Sequence, residues 1–189
     1  MMRSRSPAIR TLIIAVSLSA AISALIGAQA TRPEARLKAA GIDLPAAQKS
    51  LANYVPTVRT GDLVFVSGQG PLADGKPMMT GKVGADVSEE DGYKAAKLAV
   101  LNSLAALRAE IGSLDRVRRV VKVTVWVNSA PGFTRQSAVA NGASDLLVQI
   151  FGEAGRHARA AIGANELPLN IPVEVVMVVE VARGSAERR

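Results

Sequence analysis

The 189-residue chain has no cysteine, one histidine and few aromatic residues. Without cysteine it can form no disulfide, thiolate metal site, lipoprotein anchor or cysteine nucleophile. The single histidine, His157, argues against a metal centre built from imidazole ligands. Aromatic residues make up only 3% of the chain, which leaves little surface for stacking nucleic-acid bases.

The length and the apolar content predict one globular domain. With 189 residues, of which 49% are hydrophobic, the chain can form one ordinary core but not comfortably two. The net charge of +7 includes Arg3, Arg5 and Arg10, so the rest of the chain carries about +4. No internal repeat or low-complexity tract is present.

Residues 1–30 have the pattern of a secretory signal peptide. A basic start precedes an uncharged apolar run over residues 11–26, and Ala28 and Ala30 form a small-residue cleavage motif. Because the uncharged stretch is nearly long enough to span a bilayer, an uncleaved membrane anchor is the alternative. In either case the arginines favour a cytoplasmic N-terminus, so the domain is expected outside the cytoplasmic membrane, which in a bacterium means the periplasm.

The remaining chain is predicted to contain a linker, a domain and a tail. Residues 31–53 mix charge, alanine and proline and are predicted to be a linker with one short helix at most. The domain spans residues 54–182, and residues 183–189 form a C-terminal tail. "YVPTV", "RTGD" and "LVFVSG" predict a hairpin turning at Gly61, and the Gly- and Pro-rich residues 71–87 predict a loop.

Two helices and three further strands complete the domain. The first helix begins at Ser88, ends at Gly112 and carries an apolar stripe at spacings of three and four. The second covers "SAVANGASDLLVQIFGEAG". The strands are "RVVKVTVWVN", "ARAAIG" and "PVEVVMVVEVA", giving the order β-β-α-β-α-β-β. In "RVVKVTVWVN", alternation places four valines on one face, namely Val121, Val123, Val125 and Val127.

Two helices and about five strands predict an α+β fold with both helices on one face of a single sheet. The last strand is apolar on both faces, which indicates that the other face is also covered. A second subunit is the simplest cover, and a closed cyclic oligomer is its usual form.

Two charged residues interrupt these apolar strands. Arg159 either forms an ion pair at a strand end or holds a substrate carboxylate through two parallel hydrogen bonds. Glu174 is either a strand-end charge or a carboxyl that exchanges protons in a dry cleft. His157, at a helix-to-strand junction, is typical of a hydrogen-bonded structural residue.

Weaker signals come from the residues that flank these elements. Ser67 ends a strand in the glycine turn "SGQ", where a hydroxyl and backbone amides can point into a cleft. Asn141 is a possible helix cap, and Tyr54 a core residue with its hydroxyl at the rim. Composition and spacing leave each of these residues open between structure and function.

The segments "NYVPTVRTGDLVFVSGQGPL", "VVKVTVWVN" and "HARAAIGANELPLNIPVEVVMVVEV" together resemble the RidA (YjgF) family of reactive-intermediate deaminases. The most specific parts are "SGQ" and the placement of Glu174 fifteen residues after Arg159. The resemblance implies a chorismate-mutase-like fold, a homotrimer with clefts between subunits, and no metal or organic cofactor. It also implies hydrolysis of small imines and enamines, such as 2-iminopropanoate and 2-aminoacrylate, to a 2-oxo acid and ammonia.

By the same resemblance, Arg159 binds the substrate carboxylate and Glu174 positions or activates water and moves a proton. Tyr54, Ser67 and Asn141 would line the pocket. The chain departs from the family pattern at Ala161, where many members have cysteine, and at His157, where they have proline. The loop before Asn141 is also about three residues longer.

Two other functions are open to the same sequence. The cleft of an exported protein could bind a small carboxylate ligand without turnover. RNA binding or cleavage is suggested by the sequence pI of 10.2 and by the ribonuclease label of some family members. Scattered basic residues, few aromatics and a single histidine argue against it, so no nucleic-acid partner is expected.

Overall fold

A five-stranded sheet with two helices on one face forms the centre of the computed structural model, which describes residues 32–48, 50 and 52–183. The predicted signal segment and residues 184–189 lie outside these ranges. The elements are α1 (Pro33–Ala39), β1 (Thr57–Thr60), β2 (Leu63–Gln69), β3 (Leu72–Ala73), β4 (Lys76–Pro77), α2 (Glu89–Ile111), β5 (Val117–Asn128), α3 (Gln136–Phe151), β6 (Ala158–Ala164) and β7 (Val173–Val181).

The strands of the main sheet follow the order β1-β2-β7-β5-β6. β5 and β6 are parallel and joined through α3, whereas the other neighbours are antiparallel. The predicted α+β class and the order β-β-α-β-α-β-β are confirmed. The predicted loop over residues 71–87 additionally contains the short ribbon of β3 and β4.

The signals that define α2 and the first hairpin act as predicted. The Ser88 hydroxyl accepts a hydrogen bond from the Asp91 amide at 3.0 Å, which caps the N-terminus of α2. Gly112 ends the helix at φ 83°, and Gly61 turns the hairpin at φ 55°. Both angles lie in the left-handed region that glycine adopts without steric cost.

The hydrophobic core lies between the two long helices and one face of the sheet. From β7 it receives alternate residues, beginning with Val173 and Val175, which are fully buried. From α3 it receives one apolar face of buried side chains, namely Val139, Ala143, Leu146, Leu147 and Ile150.

One strand departs from the predicted alternation. In β5 the pairing with β7 shifts between Val120 and Lys122, which is a β-bulge. Val120 is therefore 1% exposed and Val121 is 37% exposed, so the prediction that Val121 shares one face with the buried Val123, Val125 and Val127 is wrong. On one side of the bulge, the inserted residue moves each side chain to the opposite face of the sheet. The alternating sequence pattern does not reveal this insertion.

The segment predicted to be a linker partly belongs to the packed domain. Its helix α1 places Leu37 in the hydrophobic core, with Ile42 and Leu44 packed against that core. Glu34 accepts a hydrogen bond from the Leu114 amide at 2.9 Å. The packed unit therefore begins some twenty residues before the predicted boundary at Tyr54.

The sheet face away from the helices carries a row of apolar side chains. Val58, Phe65 and Val178 are neighbours across β1, β2 and β7, and Val58 and Phe65 are 53% and 45% exposed. This is the face for which a subunit contact is predicted. Within the described ranges, no helix combines the length and apolar character needed to cross a membrane.

Candidate functional site

Arg159 lies on the edge strand β6 and points to the helix-covered face of the sheet. Its Cα is paired with that of Val123, a fully buried residue of that face. The guanidinium Nη1 donates to Asn141 Oδ1 at 2.9 Å and to Ser144 Oγ at 3.0 Å. Both acceptors are neutral and lie on α3, three residues apart and thus on one side of the helix.

These two hydrogen bonds leave part of the guanidinium open. A guanidinium has five N–H donors, of which Nη1 supplies two. Among the described residues, no carboxylate forms a salt bridge with Arg159. Seven other basic side chains each form a salt bridge with a carboxylate of their own, namely Lys82, Lys94, Arg108, Arg118, Arg135, Arg156 and Arg183. The edge formed by Nε and Nη2 is therefore available, and two parallel N–H groups of this kind match a carboxylate.

Glu174 lies near the start of β7 and faces away from the helices. It alternates with Val173 and Val175, which are buried in the core. Its carboxylate packs against Gly68, where an added Cβ would stand only 2.3 Å from Oε1. Burial raises the pKa of the Glu174 carboxyl above its ordinary value, so it is protonated at higher pH than a solvated glutamate.

Tyr54 and Ser67 lie beside the same glycine. Tyr54 and Gly68 line a cavity of about 40 Å³, and Tyr54 is 51% exposed. The Ser67 hydroxyl donates to the Val55 carbonyl at 2.7 Å, which leaves its oxygen as an acceptor. We call Tyr54, Ser67, Gly68 and Glu174 the carboxylate cluster.

The second group, which we call the guanidinium cluster, consists of Arg159, Asn141, Ser144 and His157. His157 contacts Ser144, with 3.1 Å between Nε2 and Oγ. Asn141 is the sixth residue of α3 and does not cap it, because the N-cap position is Arg135. Its predicted proximity to Arg159 is present, but its predicted alternative role as a helix cap is not.

The two clusters lie on opposite faces of the same sheet. Arg159 and Glu174 belong to strands separated by β5, where their partners are Val123 and Trp126 respectively. Neighbouring positions along a strand alternate between faces, and Val123 and Trp126 are three positions apart. A single chain therefore does not enclose Arg159 and Glu174 in one cleft.

Sequence reasoning missed two members of these clusters. Ser144 is one of several small residues in α3. Its spacing of three residues from Asn141 indicates that it contacts Arg159 only after Asn141 is known to be a partner of Arg159. The sequence predicts Gly68 only as part of the "SGQ" turn, because its contact with Glu174 depends on the irregular pairing of β2 and β7 between Val66 and Gln69. Within the described ranges, no group of three or more histidine or acidic side chains is placed to hold a metal ion.

Comparison with known proteins gives a consistent result. A family model described as "YjgF/chorismate mutase-like, putative endoribonuclease" matches residues 34–181. Protein TCP17 of Trypanosoma cruzi is 49% identical over 150 residues, which are 79% of this chain and 94% of that protein.

Two crystal structures extend the comparison to the fold. The protein Atu1372 of Agrobacterium tumefaciens, described as of unknown function, is 46% identical with a TM-score of 0.74, covering 79% of this chain and 92% of that one. A "putative endoribonuclease" of Shewanella oneidensis is 38% identical with a TM-score of 0.77, covering 79% and 99%.

Proposed function

Because the chain belongs to the YjgF/RidA-like family, we propose that it is a deaminase that hydrolyses small imine and enamine acids. Water adds to the carbon of the C=N bond, and ammonia leaves as the 2-oxo acid forms. The substrate class is that of 2-iminopropanoate and its enamine tautomer 2-aminoacrylate. No metal or organic cofactor is required, because the imine carbon is already electrophilic.

The observation that carries this proposal is the open edge of the Arg159 guanidinium. Asn141 and Ser144 hold Nη1 with neutral oxygens, so the positive charge is oriented but not neutralised. A ligand carboxylate can then accept from Nε and Nη2 together. Orienting the substrate by its carboxylate supplies the proximity that water addition needs.

Glu174 would perform the proton transfers. Its carboxyl is half-buried and its pKa is raised by that burial, which brings the group closer to balance between its two forms at neutral pH. In that state it can accept a proton from the attacking water and return one to the leaving nitrogen. Tyr54 and Ser67, in the same cluster, would line the pocket around the reacting atoms.

Joining the two clusters requires two copies of the chain, and we propose a homotrimer. The guanidinium cluster lies at the edge strand β6, and the carboxylate cluster on the apolar face of the sheet. If the edge of one subunit abuts that face of the next, Arg159 and Glu174 of different copies share one cleft. The exposed apolar row of Val58 and Phe65 supports such a contact.

A coupled assay of ammonia and 2-oxo acid release tests the proposed activity. The imine is generated in place by an amino-acid oxidase, and hydrolysis is compared with and without the protein. RNA serves as a second substrate because the family description names an endoribonuclease. Binding of small carboxylates without release of ammonia would favour a ligand-binding protein instead, and RNA cleavage without deamination would favour a nuclease.

Gly68→Ala tests the placement of Glu174. The added Cβ would lie 2.3 Å from the carboxylate oxygen, so the flexible carboxylate must move. We expect turnover to fall roughly a hundred-fold, the scale of a misplacement of about 1 Å, while the midpoint of thermal unfolding changes little. In a Glu174→Ala background the same substitution should add almost nothing, and additive losses would contradict the contact.

Export is also part of the proposal. Its support is the sequence of residues 1–30, with a basic start, an apolar run and a small-residue motif. The enzyme would then act on imines that arise outside the cytoplasmic membrane. The intact mass of the native protein, purified from the cell envelope, distinguishes a cleaved signal from a retained anchor. Finding the protein in the cytoplasm instead would contradict the proposed export.

A further inference from the structure

His157 lies between the turn at residues 152–155 and strand β6, with its ring half-buried. Its Nδ1 is 2.6 Å from the Gly155 carbonyl oxygen, and its Nε2 is 3.1 Å from Ser144 Oγ. A carbonyl oxygen can only accept, so Nδ1 carries the proton. In the neutral ring Nε2 is then an acceptor, and the Ser144 hydroxyl donates to it.

The same hydroxyl oxygen accepts from Arg159. Ser144 Oγ is 3.0 Å from Nη1, so the Ser144 proton points to His157 and a lone pair points to the guanidinium. The directions of three successive hydrogen bonds are thus determined, from Arg159 to Ser144, from Ser144 to His157, and from His157 to Gly155. Asn141 supplies the second acceptor for Nη1.

The neutral ring is the form that this arrangement requires. A charged ring would donate from Nε2 to an oxygen that already accepts from Arg159, so two cations would face one hydroxyl. Burial lowers the pKa of the His157 ring more than the hydrogen bond to the Gly155 carbonyl raises it, and the charge of Arg159 lowers it further. The ring is therefore neutral at pH 7.

We propose that His157 and Ser144 are positioning residues that hold the exposed Arg159 with its Nε–Nη2 edge turned toward a ligand carboxylate. The proposal rests on the proposed role of Arg159 as the carboxylate-binding group. An arginine side chain has many rotamers, and ordering it before the ligand arrives lowers the entropy lost on binding. This role belongs to His157 as it stands here, because a proline at this position could not accept from Ser144.

Four variants separate positioning from general structure. Ser144→Ala removes one of the two acceptors for Arg159, and His157→Phe keeps a ring without nitrogen atoms. His157→Gln restores an acceptor, because its amide oxygen can receive the Ser144 hydroxyl proton. Ser137→Ala, at an exposed position near the start of the same helix, is the matched control.

Calorimetric titration with pyruvate, the 2-oxo acid that 2-iminopropanoate yields on hydrolysis, measures binding without turnover. We expect Ser144→Ala and His157→Phe to raise the dissociation constant about three- to ten-fold, the usual effect of one lost hydrogen bond. His157→Gln and Ser137→Ala should stay within about two-fold of the parent protein. In the deaminase assay the first two variants should raise KM with little change in kcat, since ground-state binding is what they weaken.

Labelling with [15N]histidine examines the hydrogen bonds without any ligand. The chain has one histidine, so an untagged protein gives one pair of ring nitrogen signals. We expect the neutral form protonated on Nδ1, with the Nε2 signal moving in Ser144→Ala. A proton on Nε2, or an Nε2 signal unaffected by Ser144→Ala, would overturn the proposed hydrogen-bond chain.

The binding results separate this inference from the proposed activity. Normal pyruvate binding by Ser144→Ala and His157→Phe, in folded protein, would overturn the positioning role even if the parent protein is a deaminase. Weakened binding in both, in a protein that releases no ammonia, would support the positioning role and reject the deaminase. Absence of pyruvate binding by the parent protein would overturn the proposed carboxylate site itself.

Discussion

Arg159→Ala is expected to lower kcat/KM for imine hydrolysis by about two to three powers of ten, which corresponds to roughly 3–4 kcal/mol of transition-state binding. The loss follows from replacing a bidentate, charge-assisted contact to the substrate carboxylate with water. Arg159 is exposed on an edge strand, so the free energy of unfolding should change by no more than about 0.5 kcal/mol. Steady-state kinetics and thermal unfolding on the same preparation measure both quantities.

Arg156→Ala is the matched control. Arg156 lies three residues before Arg159 and forms an exposed ion pair with Glu153 at 3.0 Å. Exposed pairs of this kind contribute little, so turnover should equal that of the parent protein. Arg159→Lys should fall between the two, because lysine keeps the charge but not the planar fork. Equal turnover by Arg159→Ala and the parent protein would remove Arg159 from the site.

The fold could be predicted where one local pattern decides each element. Helix α2 combines an apolar stripe, a serine cap and a glycine end, and the structure contains all three as the sequence predicts. The bulge near Val121 could not be predicted, because one residue decides which face the strand presents and nothing in its composition marks the insertion. The packing of α1 could not be predicted either, because Leu37 is buried in a core formed by elements distant in sequence.

The candidate site could likewise be predicted only in part. Arg159 and Glu174 were identified from their spacing and from "SGQ", and Arg159 does meet Asn141 as the resemblance implies. Their placement on opposite faces was not foreseen. Strand β6 carries small residues on both sides of Arg159, so its sequence does not report which face is buried. The register with Val123 provides that information, and it exists only in the folded sheet.

His157 is predicted from sequence to be a hydrogen-bonded structural residue, and the structure shows two hydrogen bonds to its ring. What sequence could not supply is the identity of the partner. Ser144 lies thirteen residues before the histidine, on a different element, and only the packing of α3 against β6 brings their side chains together. The functional meaning of the histidine therefore depends on a contact rather than on a motif.

Glu174→Gln is expected to lower kcat by about two powers of ten or more, the usual contribution of a positioned acid or base. Glutamine has nearly the same shape, so contacts with Gly68 persist while proton transfer is lost. Glu180→Gln is the matched control, because Glu180 lies on the same face of β7 but outside the carboxylate cluster. A Glu174→Gln variant with full kcat would show that another group transfers the proton.

Glu174→Gln should also stabilise the folded protein relative to the parent protein, and this difference in stability should grow as pH rises. Burial raises the pKa of Glu174 in the folded protein, so the folded state holds this proton more tightly than the unfolded state does. The stability linked to this proton is fully present below the unfolded pKa near 4.5 and is lost as pH rises through the raised folded pKa. Glutamine does not titrate, so the thermal midpoint of Glu174→Gln should exceed that of the parent protein by a margin that grows from pH 4 to neutrality. A constant margin would mean that folding leaves the pKa of Glu174 unshifted, and a shrinking margin would mean that the folded protein stabilises the carboxylate. Either result contradicts a proton-transfer group whose pKa is raised by burial.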